Sequence, residues 1–330
     1  MTSFKWLKSE ELAQRADLLE GMLRNCRVCP HACGVDRSAG ETGICRSGYS
    51  PIVASHGPHF GEEPPISGIQ GAGNIFFGNC NLRCVYCQNH QISQDPLAER
   101  HHEVACRQLA GIIMDLAHSG CHNINLVSPT QFVPQIVRAL SMARAAGLSI
   151  PIVYNSNAFE SVEVLRLLDG VVHVYLPDLK YADDEIARGC SKADNYVSRA
   201  RAAVREMYRQ MGSSLIYDDD GILLRGLITR LLVLPNDLAG IARSLQFIHD
   251  ELSPDVAISL MAQYYPTHRV VTTDHYPLLS RKINAAEWER AVGALDRFGM
   301  ETGWLQDWKE APDSYRPDFS DRLNPFKIAG

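Results

Sequence analysis

Cys80, Cys84 and Cys87 are the residues whose type and spacing most directly suggest chemistry. They stand in Phe76-Phe-Gly-Asn-Cys80-Asn-Leu-Arg-Cys84-Val-Tyr-Cys87-Gln-Asn-His90. Thiolates ligate iron–sulfur clusters. Three thiolates on one short loop take three irons of a [4Fe–4S] cubane. The fourth iron stays open to a substrate, which a four-cysteine electron-transfer cluster does not allow. The competing reading is a zinc site with His90 as fourth ligand.

A second group reads Cys26-Arg-Val-Cys29-Pro-His-Ala-Cys33, followed after Gly40 and Gly43 by Cys45. Four thiolates on one loop suit tetrahedral zinc or a fully ligated [4Fe–4S] cluster. Iron–sulfur here would relay electrons to the first site, and zinc would tie the N-terminal helix to the rest. His31 reads as a loop residue, because four cysteines already suffice. Cys106, Cys121 and Cys190 are scattered and read as small buried apolar residues. Residues 1–20 are charged and lack the apolar segment of a signal peptide, so a cytoplasmic protein is expected. Clustered cysteines in that compartment read as metal ligands and not as disulfides.

These loops need a scaffold. Residues 1–25 read as a helix with Leu7, Leu12, Leu18, Leu19 and Leu23 inward, and residues 51–73, rich in Gly and Pro, as irregular. Six strands follow, over 74–78, 123–127, 151–154, 171–176, 227–234 and 256–260. Helices are expected at 102–118, 131–146, 161–168, 195–211, 238–252 and 285–298. That alternation predicts parallel strands with right-handed crossovers, as a partial (β/α)6 barrel or an open doubly wound sheet. The expected division is an N-terminal helix and cysteine segment at 1–72, the α/β body at 73–275, and a helix and tail at 276–330. The tail from residue 310 either covers one end of the body or is mobile. His56-Gly-Pro-His59-Phe-Gly-Glu62-Glu63 reads as a rigid connector with exposed glutamates, or else as a segment near the cluster that supplies acid–base or substrate contacts, and Gln263, Tyr264 and Tyr265 as candidates to line a cavity.

Cysteines at this spacing after the first strand, with Tyr86 before the last, resemble the radical S-adenosylmethionine (SAM) superfamily. Over about residues 26–265 the chain is most similar to the homologues of pyruvate formate-lyase activating enzyme. Tyr154-Asn-Ser-Asn-Ala-Phe159 stands where those activases carry Asp-Thr-Asn-Gly-Phe, Pro177-Asp-Leu-Lys180 matches their Asp-Leu-Lys, and Arg230 precedes Val233-Leu-Pro235 as in their arginine-bearing strand. The resemblance implies an α/β fold, a partial (β/α)6 barrel of radical SAM type with an N-terminal cysteine-rich extension. It implies that the open iron chelates SAM and that one electron releases a 5′-deoxyadenosyl radical, which abstracts hydrogen. Lys180 and Arg230 would serve the SAM carboxylate, and Asn155, Ser156 and Asn157 its ribose. Where activases carry Gly-Gly-Glu, this chain has Val127-Ser-Pro-Thr-Gln131, leaving Ser128, Thr130 or backbone carbonyls for the SAM amino group. Asn155 replaces one of two aspartates of a cation site, and Asp178 retains the other. A flavodoxin or ferredoxin would donate the electron, and a glycyl radical enzyme would be a protein partner.

The net charge of −6 argues against nucleic acid or an anionic membrane as the main partner. No stretch is long and apolar enough to span a bilayer. Radical chemistry on another peptide, a small molecule or a nucleoside is one alternative. A two-cluster electron carrier and a zinc-organised scaffold are others, from different functional classes.

Overall fold

The computed structural model describes residues 5–311 and 315–326, with Ala98 as backbone only. Nine strands form one mostly parallel sheet. They are β1 (Val53–His59), β2 (Ala72–Phe77), β3 (Ile124–Val127), β4 (Ile152–Ser156), β5 (Val174–Pro177), β6 (Ile216–Tyr217), β7 (Leu223–Leu232), β8 (Ala257–Met261) and β9 (Gly303–Leu305). Their order is β1-β2-β3-β4-β5-β7-β8-β9, with the two-residue β6 pairing antiparallel to β7. Every residue of β2, β3, β4, β5 and β8 is buried. That explains why these strands read as continuous apolar runs: helices cover a parallel sheet on its faces.

The longer helices are α1 (Ser9–Gly21), α2 (Cys106–His118), α3 (Val133–Ala145), α4 (Val162–Leu167), α5 (Asp184–Ser191), α6 (Tyr196–Met211), α7 (Ile241–Glu251) and α8 (Ala285–Arg297). α2 buries Leu109, Ile113 and Leu116 at helical spacing, and its other faces carry polar residues. α1 lies on α3, where Arg138 reaches back to Asp17 and to Glu20 at 3.0 Å. Leu12, Leu19 and Leu23 are fully buried there, each worth roughly 1.5–3 kcal/mol. Leu18, expected inward, is exposed. Among the described residues no helix is long and apolar enough to cross a membrane.

Three elements depart from the expected plan. β1 was expected to be irregular; it pairs antiparallel with β2, His56 opposite Ile75 and Pro58 opposite Gly73. Pro58 has no N–H to donate, and the strand stands at the end of the sheet, where proline is tolerated. The expected boundary at residue 72 therefore falls inside the sheet. α5, eight residues long, lies in a stretch with no expected element. β9, from the expected C-terminal appendage, pairs parallel with β8. The tail lies over the body: Arg322 pairs with the fully buried Glu99 at 2.6 Å, and Phe319 packs edge-on against Phe76.

Candidate active site

In a parallel α/β sheet the loops at the C-terminal ends of the strands share one mouth. Here those loops line a cavity of about 780 Å³, within the ~300–1,000 Å³ span of small-molecule sites. The loop after β2 carries Cys80, Cys84 and Cys87, and all three line it. Asn79, with φ of 60°, turns the chain into this loop. Gly78 has no room for a side chain, since a Cβ would come 2.4 Å from Ile52 Cγ2. The loop is strapped to α5 by Arg83 N donating to Ser191 O at 2.9 Å and Val85 N to Cys190 O at 2.8 Å.

Each of the three sulfurs already has polar company. Cys80 Sγ accepts from Leu82 N at 3.4 Å and from Asn157 Nδ2 at 3.5 Å. Ser191 Oγ donates to Cys84 Sγ at 3.0 Å, and Ser93 Oγ lies 3.3 Å from Cys87 Sγ, which also accepts from Asn89 N–H. The hydroxyls of Ser191, Tyr181 and Tyr86 form a buried chain behind Cys84, with steps of 2.6 and 2.6 Å. Burial pushes the Cys80 thiol up to about 11 and Cys87 to about 12, and raises Cys84 as well. Metal ligation requires thiolates, so an electropositive partner must draw these protons off. Three soft thiols beside a cavity, with donors aimed at sulfur, fit an iron–sulfur cluster with one iron left to a ligand. His90 Nδ1 donates to Cys87 O at 3.2 Å and its ring stacks on His268 at 4.8 Å.

The later strands bring Ser128, Asn155, Ser156, Asn157, Asp178, Lys180 and Arg230 to the same cavity, and Tyr86 lines it too. Lys180 Nζ donates to Asp178 Oδ2 at 2.7 Å. Burial disfavours the Lys180 charge, but Asp178 and Cys84 outweigh it and hold the ammonium charged. Ser128 sits at φ of 55° at the end of β3. Thr130 does not line the cavity. It is buried and donates to Glu160, whose carboxyl burial raises to about 8. Arg230 reaches the cavity but is not a free cation. It donates to Glu63 at 2.7 and 2.6 Å and to Glu62 at 2.5 Å. Burial works against the Arg230 charge, and the two carboxylates more than restore it.

Residues 74–217 match the Radical SAM superfamily, a span that runs from β2 through all three cysteines to β6. The chain carries a radical SAM superfamily domain. A radical SAM domain implies a [4Fe–4S] cluster and SAM, and an enzyme of the radical SAM type. An uncharacterized protein of Methanocaldococcus jannaschii is 29% identical over 308 residues, 90% of this chain and 82% of that protein.

Glu62 and Glu63 depart from the connector reading with exposed glutamates and lie where the alternative reading put them, beside the cysteine loop. Their side chains are buried and line the cavity, and Glu62 also accepts from Asn74 at 2.8 Å and Asn125 at 2.9 Å. Ser191 and Tyr181 went unnoticed with α5. Gln263 and Tyr264 line the cavity, whereas Tyr265 lies under Arg316. Of the second cysteine group, Cys26 and Cys45 are buried and Cys29 and Cys33 half-buried. Among the described residues no three His, Cys, Asp or Glu side chains are gathered closely enough to hold a single metal ion.

Proposed function

We propose that this chain reductively cleaves SAM at a [4Fe–4S] cluster held by Cys80, Cys84 and Cys87 and directs the resulting radical to a substrate C–H bond. The observation that carries this reading is the placement of the three thiols on the wall of one cavity, facing polar groups from consecutive strand ends. A bound, reduced cluster would supply one electron to the sulfonium of SAM, whose S–C5′ bond would break to give methionine and the 5′-deoxyadenosyl radical.

The chain's own residues supply orientation and exclusion of water. Lys180, held by Asp178, is the cation for the SAM carboxylate. Asn155, Ser156 and Asn157 offer hydrogen bonds to the ribose, and Asn157 also braces Cys80. Ser128 remains a candidate for the amino group, and Tyr86 lies beside the cluster loop. Arg230, occupied by its two glutamates, shapes the cavity floor. Glu62, Glu63 and Asp178 give that floor an acidic surplus over Lys180 and Arg230, which suits a cationic sulfonium.

The sequence resemblance makes a glycine of a glycyl radical enzyme the first substrate to test, with flavodoxin or ferredoxin as electron donor. The N-terminal Cys26, Cys29, Cys33 and Cys45 would hold a second metal centre. The deciding assay is 5′-deoxyadenosine formation by anaerobically purified protein given dithionite and SAM. Wild type should form it and Cys84→Ala should not; an active Cys84→Ala protein defeats the reading. Radical formation on mixing with a glycyl radical protein separates activation from chemistry on other substrates.

A further inference from the structure

We infer that Cys26, Cys29, Cys33 and Cys45 hold a second, fully protein-ligated [4Fe–4S] cluster, whose negative charge is balanced by the buried Arg37. The inference rests on the proposed first cluster for the comparison of the two thiol groups and for the iron count and SAM response expected of wild type.

The loop is shaped around its sulfurs. Gly34 N donates to Cys26 O, Ala32 N to Cys29 O and Arg46 N to Gly43 O, so tight turns fold the segment from Cys26 to Cys45 back on itself. Ala32 and Arg46, flanking Cys33 and Cys45, have φ of 41° and 60°. A Cβ on Gly43 would lie 2.3 Å from Cys33 Sγ, so only glycine lets that thiol lie over the loop carrying Cys45. Cys29 has Cys45 and Cys26 as electrostatic neighbours, and Cys26 has Cys33.

Donors already point at sulfur. Cys26 accepts the N–H of Val28 and Cys29 that of His31, each two residues on. Cys80 and Cys87 accept from Leu82 and Asn89 in the same pattern. Such donors stabilise a thiolate far more than a thiol.

Arg37 is the independent observation. It is 1% exposed, and its guanidinium donates to Gly48 O, Gln131 O and the Cys26 thiol. Among the described residues no carboxylate pairs with it. A buried cation needs a counter-charge. Four thiolates on a [4Fe–4S] core carry that charge.

The donor pattern shared with Cys80 and Cys87 favours a cubane, which sets each thiolate on its own iron, over a single zinc about 2.3 Å from every sulfur. The loop also abuts the first site: His31 Nε2 donates to Asn81 O at 2.8 Å, and Arg83 Nη2 to Ile44 O at 2.8 Å.

The test is iron, sulfide and zinc content with electron paramagnetic resonance of the full chain, reconstituted anaerobically. A Cys80→Ala/Cys84→Ala/Cys87→Ala variant should keep roughly four irons per chain and a reduced-cluster signal that SAM leaves unchanged. Wild type should hold roughly eight, with one of two signals altered by SAM. Arg37→Met should lose the SAM-insensitive signal and keep the other. A triple variant without iron, or with one zinc in its place, overturns the inference. A wild type with roughly four irons, all retained in the triple variant, leaves it standing and defeats the first cluster instead.

Discussion

Arg230 on β7 grips Glu63 with two hydrogen bonds of 2.7 and 2.6 Å across 167 residues of chain, and both side chains are nearly inaccessible. Removing one partner of a buried ion pair strands the other charge, at a cost of about 3–5 kcal/mol. Arg230→Met should therefore lose that much, because Glu62 and Glu63 would be left buried without their cation. Adding Glu63→Gln to Arg230→Met removes one of the two unpaired carboxyls and should recover part of the loss. Urea unfolding of the two singles and the double gives the coupling. Simple additivity would show that the pair does not act as one unit.

His173 predicts an acid-side loss of stability unconnected with the metal sites. Its Nδ1 accepts the Ile152 N–H at 3.1 Å and its ring packs on Trp6 at 4.6 Å. Burial, then Arg225 and Arg144, push its pKa down to about 3. Below its ordinary value of 6.5 the unfolded chain binds a proton that the folded chain refuses. Stability from this group is thus complete above that pH and falls at about 1.4 kcal/mol per unit as pH drops toward the folded value. His173→Asn keeps an acceptor near Nδ1 and does not titrate. Its unfolding free energy, compared with wild type between pH 7 and 5, should lack that slope.

The cluster loop and the alternation of strands and helices were legible because each has a local signal: cysteine spacing, and apolar runs of strand length. All six expected strands form, within a few residues of their expected ends. What was not legible depends on partners far apart in sequence. Nothing local to Glu62-Glu63 marks them as buried, since the arginine that makes burial tolerable lies on β7. β1 is hidden by Gly57 and Pro58, which only its place at the end of the sheet accommodates. α5 is hidden by its length and by Gly189, and with it the hydroxyl that reaches Cys84. Thr130 was read as facing the cavity from its place after a strand, but the turn through Ser128 sends it to Glu160.

Gly303 should be indispensable to the β9 wall of the cavity. Its φ is +138°, and a Cβ would come 1.8 Å from Ile258 O on the neighbouring strand. Backbone cannot yield as a flexible side chain can. Gly303→Ala should destabilise the chain by on the order of 1–3 kcal/mol. It should also detach Trp304, which lines the cavity, from its partner Ser259. Thermal unfolding and the tryptophan emission maximum check both effects; an unchanged emission spectrum would mean that β9 stays docked.

Ser191 supplies the sharpest test of how the fold tunes the first cysteine group. Its hydroxyl donates to Cys84 Sγ at 3.0 Å and is itself 2.6 Å from Tyr181 OH, which lies 2.6 Å from Tyr86 OH. A donor at a cluster thiolate withdraws electron density and makes reduction easier. Ser191→Ala removes that donor and leaves the tyrosine chain without its link to sulfur. The cluster potential should fall by on the order of tens of millivolts, about the effect of one charge-assisted hydrogen bond in a one-electron couple. Tyr181→Phe, one step further back, should produce a smaller fall of the same sign. Redox titration followed by electron paramagnetic resonance measures both without a substrate. A Ser191→Ala potential equal to wild type, at unchanged iron content, would mean that this hydroxyl serves only the packing of α5 against the loop.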